Sequence, residues 1–227
     1  MQTKKLDFPI LLITLMIAGP IIAILWLASF PSDDIWKHLI ETVLFRYTYT
    51  TIFLMIGVGL GTLLIGVSSA WLVTCCEFTG RKIFEWSLLL PMAIPAYIIA
   101  FIYTDLFEYS GSVQESIRLL FSWKSPSDYW FPEIRSLWGA IFMMTFVLYP
   151  YVYLLSRVSF SEQSSTIIDV SRTLGRGPWD TFFRISIPLA RPSLAIGVSL
   201  VLMEVLNDFG TVDFFAIETF TAGIYDV

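Results

Sequence analysis

Long uncharged stretches alternate with short charged ones along this chain. Residues 8–30, 47–76, 86–104 and 136–156 contain no Asp, Glu, Lys or Arg, and a fifth apolar stretch begins near Pro192, interrupted by Glu204 and Asp208. At 1.5 Å per residue a 23-residue helix reaches about 34 Å, enough to cross a hydrocarbon core of about 30 Å. Short segments of alternating polarity, as in membrane barrels, are absent from the sequence. The pattern therefore predicts an all-α polytopic transmembrane bundle of five spans. The first follows Lys4 and Lys5 and is longer than the ~7–15 residue apolar core of a signal peptide, so it reads as a retained span.

Small residues and prolines refine the spans. Gly57, Gly61 and Gly66 lie in the second. The four-residue spacing of the first two lets helix backbones approach closely. Pro91 and Pro95 predict a kink early in the third span, either shaping the bundle or serving as a gate. The 31–46 segment, with Asp33, Asp34 and the only histidine, His38, and the 105–135 segment, with Trp123, Pro126 and Trp130, read as modest loops, the longer one interfacial.

Composition agrees with lipid as the main solvent. Hydrophobic residues make up 56% of the chain and charged ones only 15%, against about 25% charged in an ordinary soluble domain. Mean hydropathy is +0.72. The net charge of −5 says less than the placement of the charges. Lys4, Lys5, Arg81, Lys82, Arg157, Arg172, Arg176, Arg184 and Arg191, nine of the fourteen basic residues, fall in alternate connections. Lys37, Arg46, Arg118, Lys124 and Arg135 are diluted by acids. The excess of positive charge on cytoplasmic loops orients the chain with its N-terminus inside.

Candidate chemistry is sparse. Cys75 and Cys76 are adjacent, a spacing that strains a disulfide, and no Cys/His set suits a metal. With one histidine, expected outside, an intramembrane enzyme lacks a nucleophile–base pair or metal ligands. No cofactor motif and no nucleic-acid partner is indicated.

One connection is distinctive. In residues 157–191, Ser161, Ser164 and Ser165 offer caps for a helix over 166–174. Gly175 and Gly177 break it, and Pro178 suits the first turn of a second helix. Trp179, Phe182, Phe183 and Ile187 recur at helical spacing, and Pro188 is expected to end that run. Arg172, Arg176 and Arg184 leave the loop basic, which also suits an anionic membrane surface.

The pattern Asp169-Val-Ser, three residues, Gly175, nine residues, Ile185-Ser-Ile-Pro188 resembles the EAA loop of ABC importer permeases. The family pattern is Glu-Ala-Ala, three residues, Gly, nine residues, Ile-x-Leu-Pro. Asp169 stands for Glu, Val170 and Ser171 for the alanines, and Ile187 for Leu. The resemblance implies a type I importer permease fold over 45–227, after an N-terminal span and first periplasmic segment over 1–44. It also implies that the loop docks on a cytoplasmic ABC ATPase dimer through Asp169, Gly175, Pro178, Trp179, Phe182, Ile185 and Pro188. A periplasmic substrate-binding protein, a second permease half or subunit and a bacterial inner-membrane location follow. The chain carries no GxxxxGK[ST] phosphate loop, so it is not expected to be an enzyme; ATP hydrolysis belongs to the partner.

Residues 90–97, 148–153, 207–213 and 219–225 resemble ferric-iron importer permeases more than the thiamine, sulfate or polyamine relatives. Such permeases have halves of six spans, so a sixth span is expected beyond Val227. Glu204, about 18 Å along the helix from Pro192, and Asp208, four residues on, are expected on one helix face. An intramembrane carboxylate is costly, and a polar translocation path would explain both. Pairing with a base and marking the outer end of the span are the alternatives.

Overall fold

The computed structural model describes residues 4–30, 41–163, 169–171 and 173–225, all helix or short connection. The expectations on Asp33, Asp34, Lys37, His38, Ser164, Ser165 and Arg172 fall outside these residues. The chain divides into two compact units, 1–45 and 46–227.

The first unit is α1, Lys4–Ala28, with Pro9 and Pro20 inside it. From residue 9 onward its side chains are nearly all exposed, as lipid-facing apolar residues would be.

The second unit begins in α2, Leu44–Cys75. It continues through α3, Arg81–Ser87, a 3-10 turn at Leu90–Ala93, α4, Ala96–Phe107, and α5, Ser112–Phe121. α6 spans Leu137–Glu162. A short α7, Pro178–Thr181, runs through a π-helical turn at Phe182–Ser186 into α8, Ile187–Asn207. α9, Gly210–Phe214, and α10, Phe220–Tyr225, close the described chain.

Among the described residues four helical runs are long and apolar enough to cross a membrane, and a fifth forms if the bent pair Arg81–Ala93 and Ala96–Phe121 counts as one span. That pair turns by 99°. Pro91 opens the 3-10 turn, and Ile94 and Pro95 are extended, so the expected kink is a full break. A proline removes a backbone donor and disfavours the helical region for its predecessor; Pro91 and Pro95 each withdraw a donor, and Ile94, before Pro95, is extended.

The core forms around α6. Met143, Met144, Val147, Val152 and Tyr153 are buried against Leu54 and Val58 of α2 and Val201 and Val205 of α8. The glycines make this approach possible. A Cβ on Gly57 would lie 2.8 Å from Ile141 Cδ1, and one on Gly61 would lie 2.6 Å from Thr145 Oγ1. At Gly66 it would meet Val152 Cβ at 2.8 Å. The expectation that this face of the second span packs on protein holds, with α6 as its partner. On the other flank of α6, a Cβ on Gly197 of α8 would sit 3.1 Å from Val152 Cα.

Two expectations change at α8. Pro188 does not end the loop helix, and the last span does not start near Pro192. Residues 178–207 form one helical run through both prolines. The π turn is where the run adapts: the Ile187 N–H reaches back five residues to the Phe182 carbonyl. Shifting the ladder just before a proline accommodates its missing donor.

The 105–135 segment is also more ordered than a loop. α5 ends in a left-handed Ser122 (φ 57°), with the Trp123 N–H on the Arg118 carbonyl. Buried Gln114 donates to the Phe107 carbonyl at 2.8 Å and accepts from the Tyr129 hydroxyl at 2.6 Å. Asp128 accepts the N–H groups of Lys124 and Ser125, which hold its carboxyl below the usual carboxylate range.

Candidate functional site

The candidate loop is built from its ends inward. Residues 169–171 are helical. That turn stops at Gly175, whose φ of +78° lies in the left-handed region that favours glycine. The Arg176 N–H bonds the Ser171 carbonyl at 3.1 Å, five residues back. This is the capping turn with which helices often end on a left-handed glycine.

Gly177 then turns the chain, and Pro178 takes the first turn of α7. The Thr181 hydroxyl donates to the Gly177 carbonyl at 3.1 Å, so the Ser171 hydroxyl is the donor in the 2.8 Å contact between Ser171 and Thr181. Both side chains are buried. The two arms of the loop are thus joined by a hydroxyl pair hidden from solvent. Sequence reasoning had read Ser171 only as a stand-in for alanine, and Thr181 carried no signal; a hydroxyl at both positions was the available clue.

Aromatic rings tie the loop to the bundle. Phe182 is buried against Trp71 of α2 at 4.8 Å between centroids, and Phe160 of α6 lies 6.4 Å away. Trp179 lies 5.5 Å from Trp71. The Gln163 amide donates to the Ser186 carbonyl at 3.0 Å, a second tie between the end of α6 and the π turn. Asp180 pairs with Arg176 at 2.9 Å and Arg184 at 2.7 Å on the outer surface.

The remaining apolar side chains face away. Leu174 is 74% exposed, Trp179 64% and Phe183 61%. Asp169 and Pro178 are exposed too, while Ile185 and Pro188 are half-buried. The seven expected loop residues therefore divide: Phe182 anchors inward, Gly175 shapes the turn, and Trp179 with Pro178 and Asp169 faces out.

Glu204 and Asp208 do not share a helix face. Asp208 has left the helix (φ −77°, ψ 109°); its N–H bonds the Glu204 carbonyl and its carboxylate accepts the Thr211 N–H at 2.8 Å. It lies two residues before α9, and its carboxylate satisfies a donor in the first turn of that helix. Glu204 remains on α8, exposed and within electrostatic reach of Tyr151 of α6. Among the described residues no group of three or more His, Cys, Asp or Glu could hold a metal ion.

Several apolar helices around a glycine-zipped core, with an aromatic-faced loop between the last two long ones, define a polytopic membrane protein. The profile of the family described as "Binding-protein-dependent transport system inner membrane component" matches residues 62–224, so the chain belongs to that family. It is 27% identical over 175 residues to the Fe(3+)-transport system permease protein FbpB 2 of Haemophilus influenzae, covering 77% of this chain and 30% of that protein. It is 26% identical over 190 residues to the putative molybdenum transport system permease protein YvgM of Bacillus subtilis, covering 84% and 78%. The sulfate transport system permease protein CysT of Escherichia coli is 27% identical over 152 residues, covering 66% and 51%. The chain thus spans under a third of the first relative's length and over three quarters of the second's.

Proposed function

We propose that this chain is a permease subunit of an ATP-driven ABC importer and that its 169–188 loop receives force from a cytoplasmic ATPase dimer. One observation carries the reading. The loop is braced inward by Phe182, Ser171 and Thr181, yet presents Leu174, Trp179 and Phe183 outward. Exposed aromatics on a stiff short helix are what helix-in-groove recognition uses. Because the loop continues without a break into α8, a push on α7 moves a membrane helix as a rigid body. A periplasmic binding protein would deliver substrate on the opposite side, and a second permease half or subunit would complete the path. The excess of basic residues on alternate connections supports an N-terminus on the inner side of a bacterial inner membrane.

Ferric iron is the proposed substrate. The stretches at 90–97, 148–153, 207–213 and 219–225 support it, and so does the Glu204 carboxylate, which favours a passing cation over an oxyanion. A second reading, molybdate or sulfate, is favoured by the relative named for molybdenum transport, which matches over more of its own length than the iron relative. Reconstituting the chain with the ATPase and binding protein that accompany it, and measuring ATP-dependent uptake of radiolabelled ferric iron, molybdate and sulfate, separates the two. Uptake of iron alone supports the first. Uptake of an oxyanion alone supports the second. Uptake of none refutes both substrate readings, and an assembled complex that hydrolyses no ATP refutes the importer.

A further inference from the structure

The inner end of α6 touches two elements that do not touch each other through any contact described above. Towards the loop, Phe160 packs on Phe182, and Gln163 donates to the Ser186 carbonyl. Towards the broken span, Arg157 pairs with Glu85 of α3 through Nη2 and Oε1, and the buried Tyr153 hydroxyl donates to the Glu85 carbonyl at 3.1 Å. Glu85 lies one to two helical turns before the 3-10 turn at Leu90–Ala93, hence just ahead of the 99° bend. Tyr153, Arg157 and Phe160 follow at spacings of four and three, so they lie on one stripe of α6.

We propose that Arg157 and Glu85 are positioning residues that carry displacement of the docking loop to the broken third span. The inference rests on the importer reading above and adds the route by which the bent span takes part. The geometry gives each member a role. Tyr153 fixes the backbone of α3 at Glu85, and the hidden position of its ring makes that contact stiff. Arg157 holds the Glu85 side chain from the next turn of α6, so α3 is gripped at two points and cannot rotate independently. The pair is partly exposed, at 32% and 25% of the side chains. A charge pair that bridges segments 72 residues apart is suited to register and transmission. Trp71 on Phe182 offers α2 a parallel contact with the loop but does not reach α3 through any ring contact.

The test uses the assembled transporter with whichever of ferric iron, molybdate or sulfate the unsubstituted complex moves. ATPase rate, uptake rate and membrane abundance are measured for Glu85→Gln, Arg157→Gln, the reversals Glu85→Arg and Arg157→Glu, and the double exchange. The expected result is unchanged abundance, preserved ATPase activity and ions moved per ATP reduced about fivefold or more in each single variant, the lower end of coupling between sites. The double exchange should recover most of the ratio. Normal ions per ATP in the single variants overturns the inference while leaving the importer reading intact. So does a double exchange as defective as its parents, because that outcome assigns the residues to shape alone. Lost abundance in the reversals is decided by the two glutamine variants: Glu85→Gln keeps size and most hydrogen bonding, and Arg157→Gln removes the charge with a shorter polar side chain. If the unsubstituted complex moves none of the three ions and hydrolyses no ATP, the importer reading fails and this inference with it.

Discussion

The segment before α6, residues 108–135, and the loop after it, up to Ser186, are held by different kinds of contact. The first is a polar network: Gln114, Tyr129 and Arg118 bond one another and nearby carbonyls, with Phe121, Trp123 and Tyr129 stacked beside them. Its end of α5 is closed by a serine in the left-handed region. The second is closed by a glycine in the same conformation, braced by one hidden hydroxyl pair and keyed into the bundle by Phe182. Both use the same helix-ending turn, with a bond from the residue after the left-handed position back five residues. They differ in what they leave outside and in what they join. The 108–135 network ties its segment to itself and to the adjoining ends of α4 and α9, through Phe107 and Phe214, whereas the loop is continuous with α8 and in contact with α2 and α6. A change in the first should remain local, and a change in the second should travel.

The largest contrast comes from the two left-handed positions. Gly175→Pro forces φ to about −65° where +78° is needed. Uptake should fall to background while the protein still inserts at normal abundance. Coupled uptake in that variant would remove the loop from the mechanism. Glu204→Gln should come next, slowing ferric iron uptake several-fold at unchanged protein level if its charge serves a passing cation. Reduced abundance would instead make it a structural group. Uptake and abundance both unchanged would leave it without either role.

Ser171→Ala should cost about 1–2 kcal/mol by leaving a buried hydroxyl with one partner fewer. A double-mutant cycle with Thr181→Ala, followed by thermal unfolding in detergent, should show a coupling of about 1 kcal/mol. Zero coupling would mean the two hydroxyls do not depend on each other. Ser122→Gly should have the smallest effect. It relieves the cost of a left-handed non-glycine residue, raising thermal stability by about 1 kcal/mol or less with no change in uptake. A change in ions moved per ATP would break the claim that the 108–135 segment acts locally.

These differences also show what could be read in the chain. The long spans stood out because charge-free runs leave no other solvent for them, and Gly57, Gly61 and Gly66 marked the α2–α6 contact because only small residues let two backbones that close. The loop was legible because its signals lie a few residues apart: a glycine for the turn, a proline for the next helix, aromatics at helical spacing. The continuity of 178–207 was hidden because Pro188 and Pro192 are ordinary stop signals, and a π turn that absorbs a missing donor has no sequence mark. Asp208 was misread because a carboxylate four residues after Glu204 looks the same whether the helix continues or ends. The Glu85–Arg157 pair and the Gln114–Tyr129 network join residues 72 and 15 positions apart. No periodicity reaches across such distances, so only the fold reveals them.

The claim that the exposed face of α7 and the π turn receives an ATPase is tested most directly by placing a photo-crosslinking amino acid at Phe183. Irradiating cells that express the whole transporter, then identifying the adduct by mass spectrometry, reads the contact itself. The account predicts a single major adduct to the transporter's ATP-hydrolysing subunit, lost in Gly175→Pro. Adducts confined to lipid or to a protein of the periplasmic side would contradict it.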